Sequence, residues 1–170
     1  MAERSRRLAR WRVRLGYALG IVAYWLATPT LESLAVGTLV GAVGEALRIW
    51  AAGHLEKGRE VTSTGPYAFT RHPLYIGSVV MGIGFAIAAD NAIAAAIVAA
   101  YLLVMITAAI RSEEAHLTRK FGEDYPAYRS GRAAGASRRF SLERALRNRE
   151  YRALVGFVTV TALLVARLYL

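Results

Sequence analysis

The sequence predicts an all-α, polytopic membrane protein. Residues 1–170 read as one domain, a transmembrane helical bundle of about five spans that includes a tight helical hairpin and carries a pocket at its cytoplasmic end. Three observations predict this. Hydrophobic residues make up 55% of the chain and the mean hydropathy is +0.32, yet the net charge is +10. Soluble basic proteins rarely combine those values, whereas apolar blocks separated by Arg-rich blocks are the pattern of a small polytopic membrane protein. The apolar blocks recur at lengths near that of a membrane-spanning helix. Finally, the segment Gly65–Gly77, GPYAFTRHPLYIG, has a composition that a helix interior does not tolerate. Gly65-Pro66 is a turn signal, and Pro73 biases His72 toward extended backbone. An irregular, aromatic-rich stretch between long apolar runs persists at membrane depth only when it is buried in protein or lines a cavity.

The same composition narrows the function. Without cysteine, a disulfide framework, a thiol nucleophile and a Cys-ligated metal are excluded. The three histidines, at 54, 72 and 116, lack the spacing of a zinc motif, so no metal is expected. The arginines flank apolar segments instead of forming a patch interleaved with aromatics, so no nucleic acid is expected as a partner.

Residues 1–14 hold six Arg and one Glu, a cytoplasmic anchor drawn to anionic headgroups. No small-residue cleavage site follows, so the first apolar run is read as a retained span. That run, Val13 to Thr28, has about 16 residues, with Tyr24 and Trp25 suited to the far interface and Pro29 ending it. The second, Leu31 to Ala52, contains Glu45 and Arg48, three apart on one helical face. Either they line a polar site, as ionisable groups in a span usually do, or they lie near the cytoplasmic end and snorkel to water. Gly37, Gly41 and Gly44 give small-residue spacing for close packing.

After a loop from His54 to Pro73, two apolar runs, Leu74 to Ala89 and Ala92 to Ile110, flank a tight Asp90-Asn91 turn and predict a helical hairpin. Gly77, Gly82 and Gly84 are expected to let its arms pack closely. Glu113, Glu114 and Leu117 continue the helical spacing of the second arm, which Gly122 and Pro126 should end. Residues 129–139 read as a basic linker and 140–152 as a short surface helix. Ala153 to Ala166 is a fifth, short span or an interfacial helix, with a span favoured. The turns around Pro29–Glu32 and Asp90-Asn91 contain no Lys or Arg, so the positive-inside pattern places both polar blocks, and the N-terminus, on the cytoplasmic side.

Those two blocks, Gly65–Gly77 and Arg111–Tyr128, are expected to meet in one site. Together they offer Glu113 and Glu114, Arg71 and Arg111, His72, and Tyr67, Tyr75, Tyr125 and Tyr128. Guanidinium groups hold a carboxylate, a carboxylate holds an ammonium, and tyrosine rings stack on a base or face a cation. No Ser or Cys stands beside a base in a nucleophile motif. The inventory suits a zwitterionic aromatic ligand such as S-adenosylmethionine. It suits a nicotinamide dinucleotide less, for want of GxGxxG after a strand.

Gly65-Pro66-Tyr67, Arg71-His72-Pro73, Tyr75 and Gly77, followed about forty residues later by Glu113-Glu114 and Phe121-Gly122-Glu123-Asp124-Tyr125, resemble the integral-membrane methyltransferases. These comprise the isoprenylcysteine carboxyl methyltransferases and the related phospholipid N-methyltransferases. The resemblance covers residues 31–128 and rests on the pairing of RHPxYxG with EExxLxxxFGxxY. It leaves 129–170 as a basic linker plus a C-terminal hydrophobic helix.

The resemblance implies a helical bundle whose cytoplasmic end encloses S-adenosylmethionine. Glu60, Val61, Thr62, Tyr67, His72, Pro73, Leu74 and Tyr75 would contact it, Glu113 would hold its charged end, and Glu114 would stand beside it. Arg71 and Arg111 are the candidate catalytic residues. The acceptor would be a hydrophobic, membrane-borne small molecule or lipid that enters sideways between helices. A carboxylate acceptor needs no base, whereas an ammonium acceptor must first lose a proton, to His72 or Glu114.

The chain departs from the isoprenylcysteine members at Ala109, where they place an Arg against the substrate carboxylate; the nearest Arg here is Arg111, two residues on and therefore on another helix face. Two rival readings are a membrane NADPH-dependent sterol-type or enone reductase and a non-catalytic membrane protein retaining a vestigial pocket.

Overall fold

The computed structural model describes residues 2–122, 124–130 and 138–170, with side chains from 14 onward except at 124, 127 and 129. Seven α-helices and one 3-10 turn are present among the described residues, and no strand. They are α1 (Ala2–Leu26), α2 (Leu31–His54), α3 (Pro73–Ala89), α4 (Ala92–Phe121), α5 (Asp124–Arg129), α6 (Leu142–Arg147) and α7 (Tyr151–Arg167), with the 3-10 turn at Gly65–Ala68. Two of them, α2 and α4, are long and apolar enough to cross a membrane; α3 is apolar but has 17 residues.

Local chemistry sets the boundaries. At the start of α2, the Ser33 N–H donates to Thr30 Oγ1 at 3.1 Å while the Thr30 N–H donates to Ser33 Oγ at 2.9 Å, a reciprocal cap. Asp90, with φ +48°, closes α3 in the left-handed region. Asn91 then opens α4, its Oδ1 accepting from the N–H groups of Ile93 and Ala94 at 3.0 Å. These two residues make the expected hairpin turn.

Two boundaries differ from expectation. The first helix extends back through the Arg-rich segment to Ala2. Gly122, with φ +50°, ends α4, but Pro126 does not share that role. It stands in the first turn of α5, where its missing N–H leaves no helical bond unmade. The basic linker lies largely at 131–137, outside the described residues, as does Glu123.

The tightest packing joins α2 to α3, not the two arms of the hairpin. A Cβ added at Gly37 would lie 2.5 Å from Gly84 O and Ala88 N, and one at Gly84 would lie 2.5 Å from Gly37 O and Gly41 N. Gly44 meets Gly77 O and Met81 N in the same way. Of the three glycines expected to pack the hairpin, only Gly82 faces α4, through Leu102. Helical geometry explains the correction. Gly77 and Gly84 are seven apart and share a face, while Gly82 is turned well away from both. Where lipid removes the hydrophobic drive between helices, such backbone-to-backbone contact is what holds them.

At the end remote from the polar blocks, the Thr28 N–H and Oγ1 donate to the carbonyls of Ala89 and Asp90, at 2.9 and 3.0 Å. Arg167 donates to the Ala27 and Trp25 carbonyls at 3.3 and 3.1 Å, satisfying acceptors that the end of α1 leaves open. An apolar cluster of Ala23, Ala27, Leu34, Ala88, Ala89, Ala94 and Leu164 lies just inside. Because Glu150 contacts Arg48 at the opposite end, α7 runs the full height of the bundle. The outward faces are apolar, with Leu39, Val43, Leu103, Val104, Val155 and Val158 all exposed.

Candidate functional site

The loop between α2 and α3 is folded by short-range bonds. Thr62 Oγ1 accepts from the Glu56 N–H at 3.1 Å, and His54 Nδ1 lies 3.2 Å from Thr64 Oγ1. Gly65 has φ +58°, and a Cβ there would lie 2.6 Å from the His54 ring, so both its backbone and its space require glycine. The 3-10 turn buries Pro66 and Tyr67. Pro73, fully buried, opens α3 at a position where its missing N–H leaves no bond unmade, and His72 precedes it in a non-helical conformation.

This loop, the start of α3, the last turns of α4 and α5 enclose a cavity of about 240 Å³. Ten of the twelve residues singled out from the sequence line it: Glu60, Val61, Thr62, Tyr67, Arg71, His72, Pro73, Leu74, Tyr75 and Glu113. The remaining two do not. Glu114 turns its carboxylate to the wall residues, its Oε1 accepting from Arg71 Nη1 at 3.1 Å and lying 3.2 Å from His72 Nε2. Arg111 is exposed and outside the lining. With Glu113 facing the cavity, a residue two positions earlier on a continuous helix points about 200° away, whereas Leu117, one turn on, joins the lining.

Tyr125 and Tyr128 of α5 also line the cavity, and the Tyr128 hydroxyl donates to the Tyr67 carbonyl at 2.6 Å. Burial pushes the Tyr67 phenol up, with Glu113, Tyr128, Glu150 and Tyr75 adding to it. Burial also raises Tyr128, with Tyr125 adding and Arg71 opposing. Both phenols therefore keep their protons at neutral pH, and Tyr128 donates its own to the Tyr67 carbonyl.

Arg48 reaches the cavity from α2, with Nε 2.7 Å from Glu150 and 3.8 Å from Glu45, while Nη1 donates to the Leu74 carbonyl and Ser78 Oγ. Of the two readings of the Glu45–Arg48 pair, the structure gives a divided answer. Arg48 lines the site, and Glu45, 3% exposed, is buried behind it without reaching water.

Glu56 and Lys57 line the cavity without having been singled out. Glu56 accepts from Arg144 at 2.8 Å and Arg147 at 3.2 Å, across about ninety residues of sequence, and no local pattern announces such a pairing. Burial raises its carboxyl, but the hydrogen bond from Arg144 and the charges of Arg147, Arg144 and Arg138 outweigh that and hold it below the usual range. A carboxyl depressed in the folded state contributes stability above its ordinary value, near 4.3, and loses it as pH falls through the depressed one. Thermal unfolding in detergent should therefore show a loss of stability from about pH 4 downward. The loss should be smaller in Glu56→Gln; equal losses in both proteins would dismiss this cluster as its source.

The cavity's donor set is mixed. It includes acids, bases, tyrosine rings, and apolar patches from Leu55, Val61, Leu74 and Leu117. Among the described residues, no three His, Cys, Asp or Glu side chains gather as a metal site would require. Of the lining carboxylates, Glu56 and Glu60 are ion-paired, whereas Glu113 has no ion-pair partner among the described residues.

The chain is 35% identical over 101 residues to the nickel-cobalt-cadmium resistance protein NccN of Alcaligenes xylosoxydans xylosoxydans, covering 58% of this chain and 46% of that protein. It is 26% identical over 127 residues to the cobalt-zinc-cadmium resistance protein CzcN of Cupriavidus metallidurans, covering 69% and 57%. It thus spans about half the length of the curated relatives it matches. No solved structure matches it significantly. The phospholipid methyltransferase family matches residues 11–124, which include the whole loop wall and the Glu113 turn of α4. The chain belongs to the phospholipid methyltransferase family.

Proposed function

We propose that the protein is an S-adenosylmethionine-dependent methyltransferase acting on a lipid or isoprenyl-type acceptor dissolved in the bilayer. The observation that carries this reading is the cavity itself, in which Glu113, a carboxylate without an ion-pair partner among the described residues, faces a wall of tyrosines and the Arg71-His72-Pro73 turn. The donor set fits the cofactor's three chemistries. Glu113 would hold its ammonium, Arg71 and His72 stand where a carboxylate would be met, and Tyr67, Tyr75, Tyr125 and Tyr128 offer rings to adenine and sulfonium. When bound, the cofactor supplies an electrophilic methyl group on a positively charged sulfur.

The chain's own residues do the rest. Glu114 fixes Arg71 and His72 at the wall. With Nε2 committed to Glu114, His72 has Nδ1 left to take a proton from an ammonium acceptor. The buried Tyr67 and Pro73 exclude water from the inner wall, and positioning with desolvation would supply most of the acceleration.

In this reading α1, α2, α3, α4 and α7 are the five spans, α7 running from Glu150 at the cavity to Arg167 at the far end. The charge pattern supports a cytoplasmic position for the cavity and the N-terminus in this reading.

Thermal stability of the detergent-solubilised chain with S-adenosylhomocysteine tests the proposal. At roughly 100 times its dissociation constant, the ligand should add about 2.7 kcal/mol. A shift with NADPH and none with S-adenosylhomocysteine would give the site to the reductase reading.

A further inference from the structure

The arm formed by residues 138–150 lies beyond the family match, which ends at 124. It nevertheless supplies the counter-charge for three side chains that line the cavity. Arg138 Nη1 lies 2.7 Å from Glu60, Arg144 Nε donates to Glu56 at 2.8 Å, and Glu150 meets Arg48 at 2.7 Å. The same arm satisfies the open carbonyls at the end of α2. Asn148 Nδ2 donates to Ala52 and Leu55 at 2.9 and 2.8 Å, while the Ser141 N–H, at 3.1 Å, and Arg144 Nη1 donate to Gly53. The Phe140 ring lies against Gly53 and His54.

The wall that follows, Leu55 to Thr62, has no helix or strand of its own. Its internal ties among the described residues are one side-chain bond, Glu56 to Thr62, one turn bond, Arg59 to Glu56, and a long Arg59–Glu56 ion pair at 3.9 Å. A segment of this kind opens easily unless a neighbour holds it. Here the neighbour also cancels charge. Without the arm, Glu56 and Glu60 would offer a ligand's ammonium two sites competing with Glu113.

The geometry points to Arg138, Arg144, Asn148 and Glu150 as positioning residues of the cavity. They fix Arg48, Glu56 and Glu60, neutralise them, and leave Glu113 as the carboxylate for the ligand. The inference about the ligand rests on the cofactor reading above; the inference about the wall does not.

The test uses the full chain in detergent and two measurements. Amide hydrogen exchange at residues 55–62, without ligand, reads the wall directly. Titration with S-adenosylhomocysteine reads the site. In Arg144→Gln, exchange at 55–62 should accelerate and the dissociation constant should rise, each about tenfold. Arg144→Lys, which keeps a charge for Glu56 but not the fork that reaches Glu56 and the Gly53 carbonyl together, should recover part of both. Arg138→Gln removes the 2.7 Å bridge to the more exposed Glu60 and a long one, 3.9 Å, to Glu56, which keeps Arg144 and Arg147, so it should fold normally and weaken the ligand with little change in exchange. Unchanged exchange in Arg144→Gln overturns the inference. Faster exchange with an unchanged dissociation constant reduces the arm to a structural strut and overturns it as well. Faster exchange in a protein whose wild type does not bind S-adenosylhomocysteine sinks the cofactor reading while upholding the arm's hold on the wall.

Discussion

Replacing Glu113 with alanine should abolish the stabilisation that S-adenosylhomocysteine gives the wild type, while leaving the ligand-free protein as stable as before. Both halves follow from one observation. Glu113 lines the cavity, and among the described residues it makes no ion pair, so its removal orphans no partner and opens no packed core. Most surface substitutions of that kind stay within about 0.5 kcal/mol. With ligand bound, the carboxylate would instead accept charge-assisted hydrogen bonds from an ammonium, each worth about 1.5–3 kcal/mol. Losing about 2.7 kcal/mol raises the dissociation constant roughly a hundredfold. A ligand concentration that was 100 times the constant then only equals it, and stabilisation falls from about 2.7 to about 0.4 kcal/mol.

Glu114→Ala is the informative contrast. That carboxylate holds Arg71 and His72 at 3.1 and 3.2 Å, so its loss should lower ligand-free stability as well as weaken binding. Undiminished ligand stabilisation in Glu113→Ala would show that the ammonium is held elsewhere and would remove the observation on which the functional proposal stands.

How much of this was legible in the chain itself depends on the range of the interaction. The helices, the Asp90-Asn91 turn and the loop wall were readable because their causes are local: hydrophobic length, a proline with fixed φ, a capping side chain. The meeting of Gly65–Gly77 with Glu113 was readable only as a pair of motifs, since no spacing rule connects residues forty apart. Arg111 marks the limit of composition. A guanidinium beside two carboxylates suggests one site, but a helix turns about 100° per residue, and the face it presents to α3 decides which of the three participates. The arm was not legible at all. Arg144 and Glu56 are 88 residues apart, and in the sequence both look like ordinary solvated charges. The glycines were half legible: small residues at the right spacing promise close packing without naming the partner helix.

That partner supplies the second large effect. Gly44→Val should destabilise the protein by about 3 kcal/mol, the upper end for overpacking, which lowers the unfolding temperature by roughly 6–12 °C. Its Cβ would stand 2.5 Å from Met81 N, 2.6 Å from Gly77 O and 3.0 Å from Met81 Cα. All three are backbone atoms of α3, so no rotamer change relieves the clash and the helices must separate. The disturbance cannot stay local. Arg48, one turn along α2, holds Leu74 and Ser78 of α3 from the cavity side, so parting α2 from α3 moves a lining residue as well. Loss of ligand stabilisation should therefore accompany loss of fold stability. Gly20→Val is the matched control, the same substitution in the apolar half of α1, where an added Cβ meets nothing within 4 Å. If Gly44→Val unfolds no earlier than Gly20→Val, the α2–α3 contact is not what holds the cavity end of the bundle together, and the position of Arg48 needs another cause.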